Sequence, residues 1–356
     1  MGVSRPIIRG MSDMDSSLQQ SIVSEYEALS ERGAGHGVVF EVKERALLEL
    51  TGKDRASFLH NFCSNDIKGL QPGRGCEAFL TNIKGRILEH LFVFADADSL
   101  WVDGTPGHEE AVSTHLDRYL ITEDVQIHRR SAERRTLWVV GAGATGWLQD
   151  VAGSEPLPAE HLRHRWIETG NGERVHCRRF DLGGFPGWQV SGPISAIEAI
   201  ARSGQEAGAR SGSGELLEAL RIESGLPRYG VDITDDHLAQ ECRRTAAAIS
   251  FTKGCYLGQE PIARIDALGH VNRELAVLEG KNPETPDSEV AVGTVILGPD
   301  GTPSGTLTSF AWHPRTRSHW GMAVLKRTAS AEGTQVAAGA GQIPFIVHSP
   351  LAADRR

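Results

Sequence analysis

The segment SFTKGCYLGQEPIARI, residues 250–265, concentrates side chains that could do chemistry. The run AAAISF (246–251) predicts an extended segment, and the residues after Cys255 predict a helix with Pro261 in its first turn. A helix N-terminus and the nearby ammonium of Lys253 both favour the thiolate, the form of cysteine that attacks electrophiles and binds metal ions. An isolated cysteine can equally be a buried structural residue, so the pattern alone leaves both roles open.

The composition of the chain narrows the classes of function. The 356 residues suit two or three domains, and the formal net charge of −9 gives no broad basic surface for nucleic acid. We interpret the basic stretch HRRSAERR, residues 128–135, as solvated loop charge. No apolar run reaches the roughly 20 residues of a membrane span, and the N-terminus lacks an apolar signal core. We therefore expect a cytoplasmic protein that binds no membrane and does not bind nucleic acid directly.

The five cysteines are odd in number and widely scattered along the chain. They are Cys63, Cys76, Cys177, Cys242 and Cys255. This distribution indicates reduced thiols rather than a disulfide framework. Because no Cys-x-x-Cys pair occurs, the sequence predicts no metal site.

The order of predicted elements indicates an α+β fold. Residues 1–36 predict a tail followed by a helix at 16–32. Extended runs are predicted at 37–50, 76–81, 86–95, 100–104, 124–129, 164–169, 173–180 and 187–191. Helices are predicted at 53–62, 106–120 (capped by Thr105, with Pro106 first), 193–207 and 214–224 (capped by Ser213). Strands joined by short turns and interleaved with helices favour antiparallel or mixed sheets with helices on one face.

A glycine pattern at residues 141–146 resembles a dinucleotide-binding fingerprint. Gly141, Gly143 and Gly146 follow an apolar strand with the G-x-G-x-x-G spacing. Such a site also needs a second parallel strand that ends in an acidic residue, and residues 151–165 contain two prolines and predict no such strand. We interpret the glycines as a tight turn between a strand and a helix.

The last 80 or so residues differ from the rest of the chain in their sequence pattern. Short strands separated by glycine, proline and aspartate turns predict a small β-barrel or sandwich. Residues 281–289 (KNPETPDSE) predict a linker before it. We therefore expect a tail and helix at 1–36, a central region of two α+β lobes at 37–279, and a barrel at 280–356.

Three segments together resemble the YgfZ-type folate-binding proteins, which are relatives of the glycine cleavage T-protein. They are LRIESGLPRYGVDITDDHLAQE (220–241), FTKGCYLGQEPIARI (251–265) and GHVNREL (269–275). The resemblance runs from about residue 37 to residue 350. It implies three lobes with ferredoxin-like mixed sheets, a C-terminal barrel and a central cavity that accepts tetrahydrofolate or a one-carbon derivative.

The resemblance also assigns roles to individual residues. Cys255 and Lys253 are the expected catalytic residues, and Lys253 would in addition meet a polyglutamate tail or an anionic partner. The expected folate-binding residues of this segment are Tyr256, Gln259, Glu260 and Arg264. Among these, Tyr256 would stack on an aromatic ring of the folate and Arg264 would meet its carboxylates.

The sequence departs from the T-protein pattern at two carboxylates. After the strand LWVDG (100–104) it lacks the expected aspartate, and Phe185 stands where a glutamate would read the pterin. We expect Asp103 and Gln189 to be the nearest substitutes. Without the two carboxylates, the one-carbon transfer of the T-proteins loses its obvious acid–base groups.

Three functions follow as alternatives. The first is a folate-binding accessory factor for iron–sulfur cluster assembly or repair, acting through Cys255 and serving iron–sulfur client or assembly proteins. The second is an aminomethyltransferase that passes a one-carbon unit to tetrahydrofolate. The third is a folate-responsive binding module without chemistry, for which Cys255 would be inert and buried.

Overall fold

The computed structural model describes residues 16–31, 37–42, 45–170, 172–281 and 290–349. Two β-sheets and a closed β-barrel, each covered by helices or loops, form three lobes. This arrangement confirms the predicted α+β fold class with a C-terminal barrel. Most of the expected N-terminal tail and of the expected linker lies outside the described residues.

Eight α-helices lie in the described residues. They are α1 (Ser16–Ser30), α2 (Arg55–His60), α3 (Glu109–Asp117), α4 (Ala144–Ala152), α5 (Ile194–Glu206), α6 (Gly214–Glu223), α7 (Thr245–Ala248) and α8 (Gln259–Leu268). Ser213 caps α6 as the sequence predicts, because its hydroxyl accepts the Leu216 N–H at 3.2 Å. The Glu25 carboxylate of α1 accepts from the Ser213 N–H and hydroxyl at 2.8 and 2.7 Å, which ties α1 to the same helix end.

Two local predictions are wrong. The helix expected from Pro106 begins only at Glu109, because the Thr105 hydroxyl donates to Glu89 at 2.7 Å and residues 105–108 form a turn instead. The extended segment expected at 246–251 begins as the short helix α7. The three alanines at 246–248 favour a helix, and the first β-branched residue within 246–251 is Ile249.

The first lobe contains a five-stranded antiparallel sheet in the order β3-β4-β5-β2-β6. Its strands are β2 (Ala46–Thr51), β3 (Arg74–Thr81), β4 (Ile87–Ala95), β5 (Ser99–Gly104) and β6 (Gln126–Arg129). Helices α2 and α3 cover one face through a core that includes Phe58, Leu59, Val112 and Leu116. The opposite face of the sheet turns toward the second lobe.

The second lobe contains a six-stranded sheet in the order β11-β1-β7-β10-β9-β8. Its strands are β1 (Val38–Val42), β7 (Arg134–Val140), β8 (His164–Glu168), β9 (Arg174–Arg179), β10 (Gly187–Pro193) and β11 (Arg210–Ser211). The extended run predicted at 37–50 is therefore two strands that join different sheets. Gly141, with φ +124°, makes the turn between β7 and α4 against the backbone of Leu29, as the sequence predicts.

The third lobe is a closed barrel in the order β12-β15-β14-β13-β16-β17. Its strands are β12 (Arg273–Gly280), β13 (Val295–Leu297), β14 (Pro303–His313), β15 (Ser318–Lys326), β16 (Gln335–Ala338) and β17 (Ile343–His348). The first barrel strand thus begins ahead of residue 280. The division into three domains stays a prediction. No helix in the described residues is long and apolar enough to span a membrane.

A hydrogen-bonded row of buried polar side chains lies between the two sheets. The His164 Nε2 is 2.9 Å from the Ala95 carbonyl oxygen, and its Nδ1 is 2.7 Å from Nε2 of His176. The Arg178 Nε donates to Nδ1 of His176 at 3.1 Å. Both imidazoles then fill all their hydrogen bonds as neutral rings. Burial, reinforced by the charge of Arg178, lowers the pKa of His164 to about 4 and that of His176 well below its usual range.

We predict that this pair makes the fold sensitive to mild acid. In the unfolded chain both histidines take up protons near pH 6.5, whereas in the folded chain they stay neutral. As the pH falls from about 6.5 toward 4, the free energy of unfolding should therefore decrease by up to about 1.4 kcal/mol per pH unit for each histidine. Urea unfolding at several pH values measures this loss, and imidazole NMR signals identify its source. Titration of both rings near pH 6.5 in the folded protein would contradict the prediction.

Candidate functional site

A cavity of about 530 Å³ lies between the two sheets, closed on its third side by α6 and the loop 226–231. Aromatic rings form much of its wall. They are Phe92 of β4, Trp138 of β7, Phe180 after β9, and Tyr229 of the loop. Apolar walls with a few polar groups are typical of sites for small organic ligands. A flat aromatic ligand fits this lining.

The part of the wall formed by β7 and β10 carries polar atoms without protein partners. Gln189 lies opposite Trp138 in the sheet, and Thr136 is two residues along on the same face. Within the described residues, neither the Thr136 hydroxyl nor the Trp138 indole N–H has a hydrogen-bond partner, although both atoms are buried. The Gln189 side chain, 3% exposed, lines the cavity beside them. Buried polar groups are normally paired, so the Thr136 and Trp138 groups, together with the neighbouring Gln189 amide, are suited to a ligand with a hydrogen-bonding edge.

Gln189 is therefore the expected site residue that the structure does place in the cavity wall. Phe185, where a pterin-reading glutamate was expected, packs edge-on against Tyr26 of α1 with ring centroids 5.5 Å apart, and it does not line the cavity. On β10, Gln189 is the polar side chain that lines the cavity and is available for hydrogen bonds with a ligand. Its role in binding stays a proposal.

Asp103 lies behind the cavity wall and is not free to act as an acid or base. The carboxylate is fully buried and accepts from Arg178 Nη1 at 2.7 Å and from Arg45 Nε at 2.7 Å. Arg45 itself lines the cavity. Pairing with two guanidinium groups does not favour Asp103 as the substitute for a missing carboxylate, and that role stays a prediction. Its effect on the cavity is to orient Arg45.

Other acid–base groups reach the cavity, and none of them is among the site residues expected from the sequence. His90 lines the cavity, and its Nε2 lies 2.7 Å from Glu77 Oε1. His108 also lines it, with Nδ1 3.0 Å from Glu89 Oε2, and contact with that carboxylate raises the pKa of His108. The available signal was a charged or imidazole residue that interrupts each apolar strand, as in RGCEAFLT and ILEHLFVFA. The cavity wall therefore contains acid–base groups other than the two expected carboxylates.

Glu218 and Arg228 form an ion pair in the cavity wall. Arg228 is 40% exposed, while Glu218 also pairs with Arg221 at 2.7 Å. Although burial opposes ionisation, the two arginines hold the pKa of Glu218 below its usual range. Arg228 is thus a cation that reaches both the cavity and solvent.

Lys253 does not face the cavity. Its ammonium is buried and donates to the backbone oxygens of His60, Cys63 and Asn65 at 2.5, 2.6 and 2.9 Å. Burial lowers the pKa of Lys253 to about 8. All three donors are used within the protein, which does not favour the expected contact with a glutamate tail or an anionic partner; that role of Lys253 stays a prediction. Lys253 instead fastens the segment 250–258 to the chain that follows α2.

Tyr256 lies beneath the same segment. Its ring is 8% exposed, contacts Phe79 and Ile262 in a buried cluster, and lies 4.6 Å from Lys253 Nζ. Burial raises the pKa of its hydroxyl to about 12. The ring packs in the core and does not line the cavity, which does not favour stacking on a folate ring; that role of Tyr256 stays a prediction.

The three expected folate contacts on α8 also lie away from the cavity. Gln259 is half-buried at the start of the helix, and Glu260 and Arg264 are exposed on its outer surface. None of them lines the cavity. Their position follows from the packing of α8, which lies on the outer side of the first lobe next to the turn at Gly85.

Cys255 is the one exposed cysteine of the five. It lies between buried Lys253 and buried Tyr256, four residues before the first residue of α8. Burial raises the pKa of the Cys63 and Cys177 thiols to about 12, so these two are chemically inert near neutral pH. Neither Cys255 nor any other described residue belongs to a group of three or more side chains that could hold a metal ion.

Comparison with known proteins gives the family. The family model of the GCVT N-terminal domain matches residues 9–253, which is well over half of the chain. The chain belongs to this family. The match covers both sheets and most of the cavity wall. Aminomethyltransferase-like ancestry, and with it the T-protein relationship, is thereby confirmed, while membership of the YgfZ-type branch stays a prediction.

Individual relatives agree with the family. A chloroplastic protein of Arabidopsis thaliana, provisionally called a transferase, is 24% identical over 88% of this chain and 73% of its own length. The mitochondrial aminomethyltransferase of Gallus gallus is 28% identical over 84% of this chain and 76% of its own length. The crystal structure of the glycine cleavage system aminomethyltransferase T from Bartonella henselae superposes with a TM-score of 0.76 at 21% identity, covering 93% of this chain and 89% of that one. This last likeness shows the fold.

Proposed function

We propose that the protein binds a reduced folate, tetrahydrofolate or a one-carbon derivative, in the cavity between its sheets, and that it serves as an accessory factor in iron–sulfur cluster assembly or repair. The observation that carries the folate proposal is the pair of unpartnered polar atoms on Thr136 and Trp138, with Gln189 and the aromatic walls beside them. A pterin has one hydrogen-bonding edge and two flat faces, which this lining complements.

The glutamate end of the folate is assigned to arginines of the cavity. Arg228 reaches both the cavity and solvent, and Arg45 is held toward the interior by Asp103. Guanidinium groups bind carboxylates through paired hydrogen bonds. We therefore assign the tail to Arg228 in place of Lys253 and Arg264.

The accessory role rests on Cys255. The segment that contains it resembles the YgfZ-type proteins, and the structure exposes its thiol while fastening the residues on either side. An exposed thiol on an anchored segment is accessible to an iron–sulfur client or assembly protein, the partner class that we propose. All five cysteines are free, which suits a reducing compartment such as the cytoplasm.

Aminomethyl transfer to tetrahydrofolate is the second candidate. The observation that favours it is the presence of His90 with Glu77 and of His108 with Glu89 at the cavity, which supplies acid–base groups in place of the missing carboxylates. A deletion strain separates the two functions. Loss of iron–sulfur enzyme activity with intact glycine cleavage supports the accessory role, and the reverse pattern supports aminomethyl transfer.

Calorimetric titration with 5-formyltetrahydrofolate in monoglutamyl and triglutamyl forms tests the binding proposal. We expect both to bind and the triglutamyl form to bind more tightly. Because a hydrogen bond to a charged group contributes about 1.5–3 kcal/mol, Arg228→Ala should weaken binding of the triglutamyl form about 10- to 100-fold. Arg264→Ala, on the outer surface of α8, is the matched control and should leave both affinities unchanged. Absence of binding at millimolar concentrations of either form would refute the proposal.

A further inference from the structure

His90 lies on the face of the first sheet that turns toward the cavity. Along β3 and β4 the side chains alternate, so that Ala78, Leu80 and Leu91 enter the first-lobe core while the residues between them face the other way. The ring of His90 is held between Phe79 and Phe92, with ring centroids 5.1 and 5.2 Å away. Only one small part of its surface is open, since His90 is 5% exposed.

Glu77 fixes the hydrogen-bonding state of this imidazole. The Glu77 carboxylate receives Arg244 Nε at 2.6 Å, with Arg244 Nη2 on its second oxygen, and lies 2.7 Å from His90 Nε2. Although burial opposes ionisation, Arg244 and His90 hold the pKa of Glu77 below its usual range. A carboxylate can only accept, so Nε2 of His90 carries a hydrogen. The remaining nitrogen, Nδ1, is the atom that can gain or lose a proton.

Nδ1 has only a weak contact within the described residues. It lies 3.4 Å from the carbonyl oxygen of Pro227, another residue of the cavity wall. A hydrogen bond between them requires a proton on Nδ1, because a carbonyl oxygen only accepts, and at this distance it would be marginal. A ligand acceptor in the cavity would offer Nδ1 a better partner. This is the arrangement in which a carboxylate behind an imidazole supports proton transfer in front of it.

The charges around His90 are mixed. From the elements packed against it come Glu77 and Arg244, and its own strand adds Glu89, whose carboxylate accepts the backbone N–H of His90 at 3.0 Å. Across the cavity lie Arg45, His108, Glu218, Arg221, Arg228 and Tyr229. Most of these charges are paired: Arg45 with Asp103, His108 with Glu89, and Glu218 with Arg221 and Arg228. Glu77 is the carboxylate bonded directly to the ring.

We infer that His90, positioned by Glu77 and Arg244, is the proton-exchanging group of the cavity and takes up a proton at Nδ1 when a ligand places a carbonyl oxygen or ring nitrogen against it. The proton comes from solvent and remains on the imidazolium, between the Glu77 carboxylate and the ligand acceptor. This inference rests on the proposed binding of a reduced folate, whose pterin edge supplies such acceptors.

The test measures protons bound with the ligand. Monoglutamyl 5-formyltetrahydrofolate is titrated near pH 7 in buffers of different ionisation enthalpy, and the dependence of the observed enthalpy on the buffer gives the number of protons taken up. We expect net uptake by the wild-type protein and its loss in His90→Gln, because an amide can still donate to Glu77 but cannot gain a proton. His90→Phe, which preserves the ring stack with Phe79 and Phe92, is the second variant. His270→Gln, an exposed histidine on no cavity wall, is the control and should retain the uptake.

The outcomes separate this inference from the function on which it rests. Wild-type binding without proton uptake would overturn the inference alone, as would uptake that persists in both folded His90 variants. Loss of uptake in His108→Gln but not in the His90 variants would transfer the role to His108 and overturn the assignment. Absence of folate binding by the wild-type protein would overturn the proposed function and the inference together.

Discussion

Replacement of Arg221 by methionine is expected to lower the free energy of unfolding by about 3–5 kcal/mol, the cost of leaving a buried charge without its partner. Arg221 is 7% exposed and joins α6 to the barrel. Its guanidinium donates to Asp232 at 2.8 Å, to Glu218 at 2.7 Å and to the Ser309 hydroxyl of β14 at 2.6 Å. Methionine fills much of the same volume, so the loss reports the missing charge more than a cavity.

The control for Arg221→Met is Arg130→Met. Arg130 is 32% exposed and pairs with Glu49 and Glu133 near the surface, so its loss should cost less than about 1 kcal/mol. Adding Asp232→Asn to Arg221→Met should recover part of the stability, since it removes the carboxylate left unpaired. Urea unfolding measures all of these variants. A loss below 1 kcal/mol for Arg221→Met would mean that the link between α6 and the barrel does not depend on this charge.

Cys255→Ser is expected to abolish the proposed accessory role in iron–sulfur cluster assembly or repair while leaving the fold intact. The thiol is exposed, so the free energy of unfolding should change by no more than about 0.5 kcal/mol. Serine is close in size but is a far weaker nucleophile and metal ligand near neutral pH. The mutant protein should therefore accumulate normally in a deletion strain and fail to restore iron–sulfur enzyme activity there.

Other cysteines provide the controls for Cys255→Ser. Cys63→Ser, Cys76→Ser and Cys177→Ser should restore the activity to the extent that each variant folds, which immunoblotting of protein levels checks. The rate of iodoacetamide alkylation adds a direct measure of thiol reactivity. Full restoration by Cys255→Ser would remove the cysteine from the function and leave the folate cavity to account for it.

The sequence predicts the fold well because its signals are local. Turn residues between short strands identify the barrel, and Ser213 identifies the start of α6. The charge of a residue in a predicted turn does not indicate whether its side chain is exposed or buried, as Lys253 shows. Its three carbonyl partners come from residues 60–65, nearly two hundred positions earlier in the chain, and no local pattern reports that they converge.

The cavity was only partly foreseeable for the same reason. Gln189 could be selected from its position in a strand, but the pairing that brings it beside Trp138 is long-range. His90 and Glu77 lie on neighbouring strands whose register sets their 2.7 Å contact. The signal present in the sequence was a histidine or a glutamate within a largely apolar strand. Conversely, the glycines at 141–146 match a binding motif but only lead from β7 into α4, and the motif's parallel partner strand is absent beside β7, whose two neighbours are antiparallel.

The measurement that tests the central claim most directly compares folate binding by the wild-type protein and by a variant with a filled cavity. Leu217 of α6 lines the cavity and is only half-buried, so Leu217→Trp should occupy the ligand space with little strain. We predict that calorimetry detects binding of 5-formyltetrahydrofolate to the wild-type protein and a loss of at least about tenfold in affinity, corresponding to about 1.4 kcal/mol, in a folded Leu217→Trp variant. Equal affinities for the two proteins would contradict the account, because the folate would then bind elsewhere.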